Sequence, residues 1–163
     1  MSEPHEDLKV PKARLAAEVA LRDGDKRQVH LFLAEHEAHA FQQQRVSSLL
    51  RDSRHFLPAY AVDEDRLLFL SKQAIGWLSI SRAEELEGDM ELFDEDYTVQ
   101  IRLLDRTVLS GELMYSPRAG ESRIVDHLNA EDQYIQLFGR DRIYFIDKAF
   151  VDWVRETETG ADE

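Results

Sequence analysis

The sequence predicts a mainly β protein made of two small barrels in tandem, each with the element order β-β-α-β-β-β. Three observations carry that reading: short apolar/polar alternations of strand period, an internal repeat covering most of the chain, and an acidic stretch between the two copies. The repeat opens with Val19-Ala-Leu-Arg-Asp23 over Ile101-Arg-Leu-Leu-Asp105, at an offset of 82 residues. Residues Arg45 to Leu50 then lie over Arg123 to Leu128 at an offset of 78. The clearest block is offset by 76: Asp65-Arg66, Phe69, Lys72, Ile75 and Trp77 fall on Asp141-Arg142, Phe145, Lys148, Val151 and Trp153. Both changes of offset fall in polar stretches, where loops tolerate length changes.

The elements follow in order. Residues 17–22 and 99–104 alternate Val19, Leu21 and Val99, Ile101, Leu103 with polar neighbours, the period of a half-buried strand. Asp23-Gly24 is a strong hairpin signal, and Asp105-Arg106-Thr107 is its weaker counterpart. Val29–Leu33 and Leu109–Tyr115 are the return strands. Helical spacing of Val46, Leu49 and Leu50, and of Ile124 and Leu128, places a helix next in each unit, with Ser122 as an N-cap for the second. The first helix can begin as early as Glu35, because Ala34, Ala38 and Phe41 extend its stripe; Pro117 and Gly120 keep the matching stretch of the second unit a loop. Strands over 55–60, 66–71 and 74–80 close the first unit, and 133–138, 142–147 and 149–154 close the second. Five short strands in so few residues suggest a small barrel, which removes exposed sheet edges. The boundaries are an N-terminal arm 1–16, a first repeat 17–80, an acidic linker 81–98, a second repeat 99–155 and an acidic tail 156–163.

Composition narrows the function classes. The chain has 163 residues, a formal charge of −13 and no cysteine, which excludes disulfides, thiolate metal sites and a cysteine nucleophile. The charge is not spread evenly. Each repeat has nine acids against eight bases, whereas the linker carries −7 and the tail −4, so the acidity marks a boundary rather than the faces of the barrels. No apolar run approaches the roughly 20 residues of a membrane span, and the opening residues lack a leader's basic and apolar regions. A cytoplasmic protein without a membrane partner is expected.

Leu103-Leu-Asp105-Arg-Thr-Val-Leu109-Ser-Gly111-Glu-Leu113 resembles the first motif of the Sm-like family, whose bacterial branch is the Hfq-like proteins. Its strand glycine suits a close approach of backbone to backbone. Ser71-Lys72-Gln73-Ala74-Ile75 is similar to the Hfq-like turn that leads into the last strand. The resemblance implies two tandem Sm-like (SH3-like) barrels that pair through strand edges, as Sm-like proteins do in building rings. The RNA-reading loop of the family is replaced here by the helix-bearing insertion, and its turn histidine is Gln73 in one unit and Ala149 in the other. No RNA-binding residue carries over.

Candidate site residues are few. Lys72 and Lys148, with Arg66 and Arg142, recur at equivalent turn positions and are candidate binding residues. Trp77 and Trp153 share a strand face with Ile75 and Val151 and are candidate interface residues. His36 and His39 form a weak metal-ligand pair, one residue short of the His-Glu-x-x-His spacing and without a fixed third ligand. No nucleophile elbow, phosphate-binding glycine loop or catalytic constellation is present in the sequence, and no cofactor is expected. The expected function is a non-enzymatic module for self-association or for binding a protein partner. RNA or nucleotide binding is the alternative, and a metal-dependent enzyme the distant one.

Overall fold

A computed structural model of the chain describes residues 12–34, 42–82, 95–115 and 124–157. Ten antiparallel strands form one sheet: β1 (Lys12–Leu21), β2 (Lys26–Ala34), β3 (Phe56–Ala61), β4 (Arg66–Ser71), β5 (Ile75–Ser81), β6 (Glu95–Leu103), β7 (Val108–Tyr115), β8 (Tyr134–Phe138), β9 (Arg142–Asp147) and β10 (Val151–Glu156). Two helices, α1 (Gln42–Arg51) and α2 (Ile124–Leu128), precede β3 and β8. Mainly β architecture is therefore the fold class.

The strand order is β10-β6-β7-β8-β9-β5-β1-β2-β3-β4. Within each half the fifth strand lies beside the first, followed by the second, third and fourth. The halves meet where β5 of the first pairs with β9 of the second, from Trp77↔Ile146 to Ser81↔Arg142. The sequence suggested two closed barrels. Instead the ladder is open: among the described residues β4 and β10 are its two ends, because the strand that would close each half is engaged in the seam or faces no strand.

Local chemistry fixes the turns. At the first hairpin Asp23 accepts from the Asp25 N–H at 3.0 Å, and Gly24 takes φ +99°. At the second, Asp105 accepts from the Thr107 N–H at 3.0 Å, and Arg106 holds φ 78° where its counterpart is glycine. Gly111 on β7 is required by proximity, since a Cβ there would lie 2.6 Å from the Phe138 carbonyl oxygen on β8. Several boundaries differ from the sequence reading. β1 begins at Lys12, inside the expected arm, because the alternation through Leu15 and Ala17 continues the hairpin down to Lys12↔Ala34. β6 begins at Glu95, inside the expected linker, where it pairs with Tyr115. β5 and β10 are each preceded by a single 3-10 turn, Lys72–Ala74 and Lys148–Phe150. The expected helix start at Glu35 and the cap at Ser122 lie outside the described residues.

Two apolar cores result, and each borrows from the other half. The first gathers Val19, Leu31, Val46, Leu50, Leu57 and Leu78, together with Phe138, Ile143 and Phe145 of the second half. The second gathers Val99, Ile101, Leu113, Leu137 and Phe150, together with Ala20 and Trp77 of the first. Burial of this kind stabilises by about 25 cal/mol per Å² of apolar surface removed from water, so the seam contributes to both cores at once.

Candidate functional site: the seam and the open edges

The seam is built by β5, whose residues Ile75 to Ile80 are all buried. Leu78 and Ile80 lie opposite Phe145 and Ile143, and all four are at most 1% exposed. Trp77, 3% exposed, sets its ring edge-on to Tyr144 at 5.4 Å between centroids. Gly76 admits the Phe150 ring, whose Cε2 would be 2.6 Å from a Cβ on that glycine.

Polar contacts fasten the same seam. Arg142 donates from Nε to the Ser79 hydroxyl at 2.7 Å and from Nη2 to the Ser79 carbonyl at 3.0 Å. Arg22 pairs with the buried carboxylate of Asp147 and lies 5.6 Å over the Phe150 ring. Asp147 also accepts from the Ala149 N–H at 2.9 Å, capping the 3-10 turn. On the far side Arg82 donates to the Gly139 carbonyl at 2.6 Å. Side chains of opposite charge, planar guanidinium groups and buried hydroxyls thus give the junction a definite register.

Lys72 and Lys148, the candidate binding residues at equivalent turns, are both engaged within the fold. Lys72 Nζ donates to the Leu49 carbonyl at 2.8 Å, the Asp52 carbonyl at 3.1 Å and the Asp52 carboxylate at 2.8 Å. It closes the C-terminal end of α1, where carbonyls lack helical partners and a cation is favoured. Lys148 does the equivalent after α2 by donating to the Ala130 carbonyl at 2.9 Å. Burial pushes the Lys148 ammonium below its ordinary value, with Asp132 opposing the shift. Asp52 is held far below the usual carboxylate range, first by the hydrogen bond from Arg54 and then by Lys72, against its own desolvation.

Beside these groups, a cleft of about 420 Å³ opens across the seam between the end of α1 and residues 131–134. Its basic side chains are engaged: Arg51 with Asp132 at 2.7 Å, Arg54 and Lys72 with Asp52. Among the described residues no group of three or more His, Asp or Glu gathers as a metal site would require. His36 and His39 lie outside the described residues. Among the described residues, too, no helix is long and apolar enough to cross a membrane.

The open edges are unlike each other. β4 begins with the exposed Arg66 and presents Leu67 at 51% and Phe69 at 62% exposure, with Phe56 of β3 beside it at 57%. β10 presents Asp152, Arg155 and Glu156 to solvent, and its half-buried Trp153 carries the Arg155 guanidinium 4.7 Å over its ring. Thus Arg142 and Trp77 both lie in the seam, at its two ends, while Arg66 and Trp153 sit at opposite ends of the sheet. Sequence reasoning passed over Leu67, Phe69, Arg22 and Asp147; the signal for the first two was a strand apolar at four successive positions, Leu67 to Leu70. Neither a family model, nor a curated protein, nor a solved structure matches the chain.

Proposed function

We propose that the chain is a non-enzymatic protein-assembly module: two Sm-like barrels joined through their strand edges, with the free β4 edge as the surface that adds a strand from a protein. One observation carries the reading. In the repeat register Leu67 and Phe69 are the counterparts of Ile143 and Phe145, which are 0% and 1% exposed because β5 lies against β9. The same positions on β4 are among the most exposed apolar side chains described. An apolar edge strand that pairs with no second strand among the described residues is a template for strand addition, which gives main-chain affinity and takes its specificity from side-chain pockets. The Sm-like resemblance supports the same reading, since that family assembles by pairing edge strands. Engagement of Lys72 and Lys148 with helix-end carbonyls weighs against the nucleic-acid alternative.

Affinity capture from a lysate of the source cell, with and without nuclease and with F69K as the paired bait, tests this. Nuclease-resistant capture that is lost in F69K is expected. Capture abolished by nuclease, or unchanged by F69K, refutes it.

A further inference from the structure

We infer that the occupant of the β4 edge is a strand of a different polypeptide, aliphatic at the positions that Leu78 and Ile80 hold on β5 with a hydroxyl side chain between them, and that the chain's own β10 is excluded from it. The inference rests on the assembly reading above and names the partner for that edge.

The seam is the template. Carried across the 76-residue repeat offset, the pairing Leu78↔Phe145 and Ile80↔Ile143 becomes Val154↔Phe69 and Glu156↔Leu67 for β10 of one copy against β4 of another. The first pair is acceptable. The second puts a carboxylate where Ile80 is fully buried, and a buried charge without a partner is strongly disfavoured. A second conflict lies on the opposite face. Arg142 reaches diagonally to Ser79, so Arg66 would reach diagonally to Arg155, setting like charges together where the seam has a hydroxyl acceptor. A third lies at the turn, where the Arg22–Asp147 ion pair would be replaced by Leu104 and Ser71. Three contacts that fix the seam are therefore missing or reversed between copies, whereas every apolar position on the receiving β4 edge is kept.

A β5-like strand removes these conflicts. Aliphatic side chains at the two outer positions would cover Phe69 and Leu67 as Leu78 and Ile80 cover Phe145 and Ile143. A serine or threonine between them would accept from Arg66 as Ser79 accepts from Arg142.

Two measurements on the full chain test this. The first uses lysine-flanked peptides copying residues 74–82 and 150–158, with hydrogen exchange at the β4 amides and titration as readouts. The 74–82 peptide is expected to slow exchange over Arg66–Leu70 and to bind at least tenfold more tightly than the 150–158 peptide, with binding lost in F69K. The second gives β10 the residues of β5: R155S/E156I should convert a monomer into a self-associating chain, and adding F69K should reverse it. Wild-type chains that associate with slowed exchange in both β4 and β10, or equal binding of the two peptides, would overturn the exclusion while leaving strand addition at β4 intact. Failure of both peptides, together with a monomeric R155S/E156I chain, would overturn both readings.

Discussion

Replacing Gly76 by alanine perturbs the seam at its tightest point. The added Cβ would stand 2.6 Å from Phe150 Cε2 and 2.7 Å from Cδ2. Carbon atoms pack comfortably at about 3.5–4.0 Å, so the overlap is about 1 Å. Little can yield. β5 is hydrogen-bonded to β1 on one side and β9 on the other, and the Phe150 ring is 3% exposed with Arg22 above it. Overpacking of this size costs about 2 kcal/mol, which for a chain of this length lowers Tm by about 4–8 °C. F150A alone should cost more, about 3–5 kcal/mol, through the lost ring and the void it leaves. In that background the alanine methyl enters the vacated space, so the double variant should be more stable than the sum of the two singles by about 2 kcal/mol. Urea unfolding of the wild type, both singles and the double measures the cycle. A G76A chain within 0.5 kcal/mol of the wild type, or a strictly additive cycle, refutes the contact as the reason for the glycine.

Three further outcomes are expected. R22A leaves the buried Asp147 carboxylate without its cation and should destabilise by about 3 kcal/mol in chemical denaturation, with D147N in the same background recovering part of the loss. Because the Asp52 carboxyl is held low chiefly by Arg54, its contribution to stability is complete above the unfolded value of about 3.9 and is lost as pH falls through the lowered folded value; thermal melts should therefore show the gap between wild type and D52N narrowing below about pH 4. R106G relieves a left-handed backbone at a non-glycine residue and should raise stability by about 1 kcal/mol, read as a higher Tm with unchanged far-UV circular dichroism.

Much of the local structure was legible because it is set by neighbours in sequence. Asp23-Gly24 and Asp105 announce hairpins through side-chain to backbone hydrogen bonds two residues long, and Val46 and Leu50 announce a helix through spacing alone. Gly111 was legible as a close approach of strands, although not that Phe138 would be its neighbour. What was not legible depends on which strand comes alongside. Leu67 and Ile143 occupy the same place in the two repeat motifs, yet one is half exposed and the other sealed, since only β9 receives β5. The partners of the paired lysines were not legible for a related reason: the Leu49 carbonyl lies in α1 and the Ala130 carbonyl just past α2, and the sequence did not place either beside the turns. An ion pair between Arg22 and Asp147, 125 residues apart, has no sequence signature at all.

The exchange of core residues across the seam ties the stability of each half to the presence of the other. Phe138, Ile143 and Phe145 complete the first core, and Trp77 completes the second, so an isolated half would expose what its neighbour was meant to enclose. Residues 83–94 join the two halves in sequence. Chains expressed as two fragments divided in that stretch should be unstable separately and reconstitute on mixing, a split protein whose complementation reports directly on the seam.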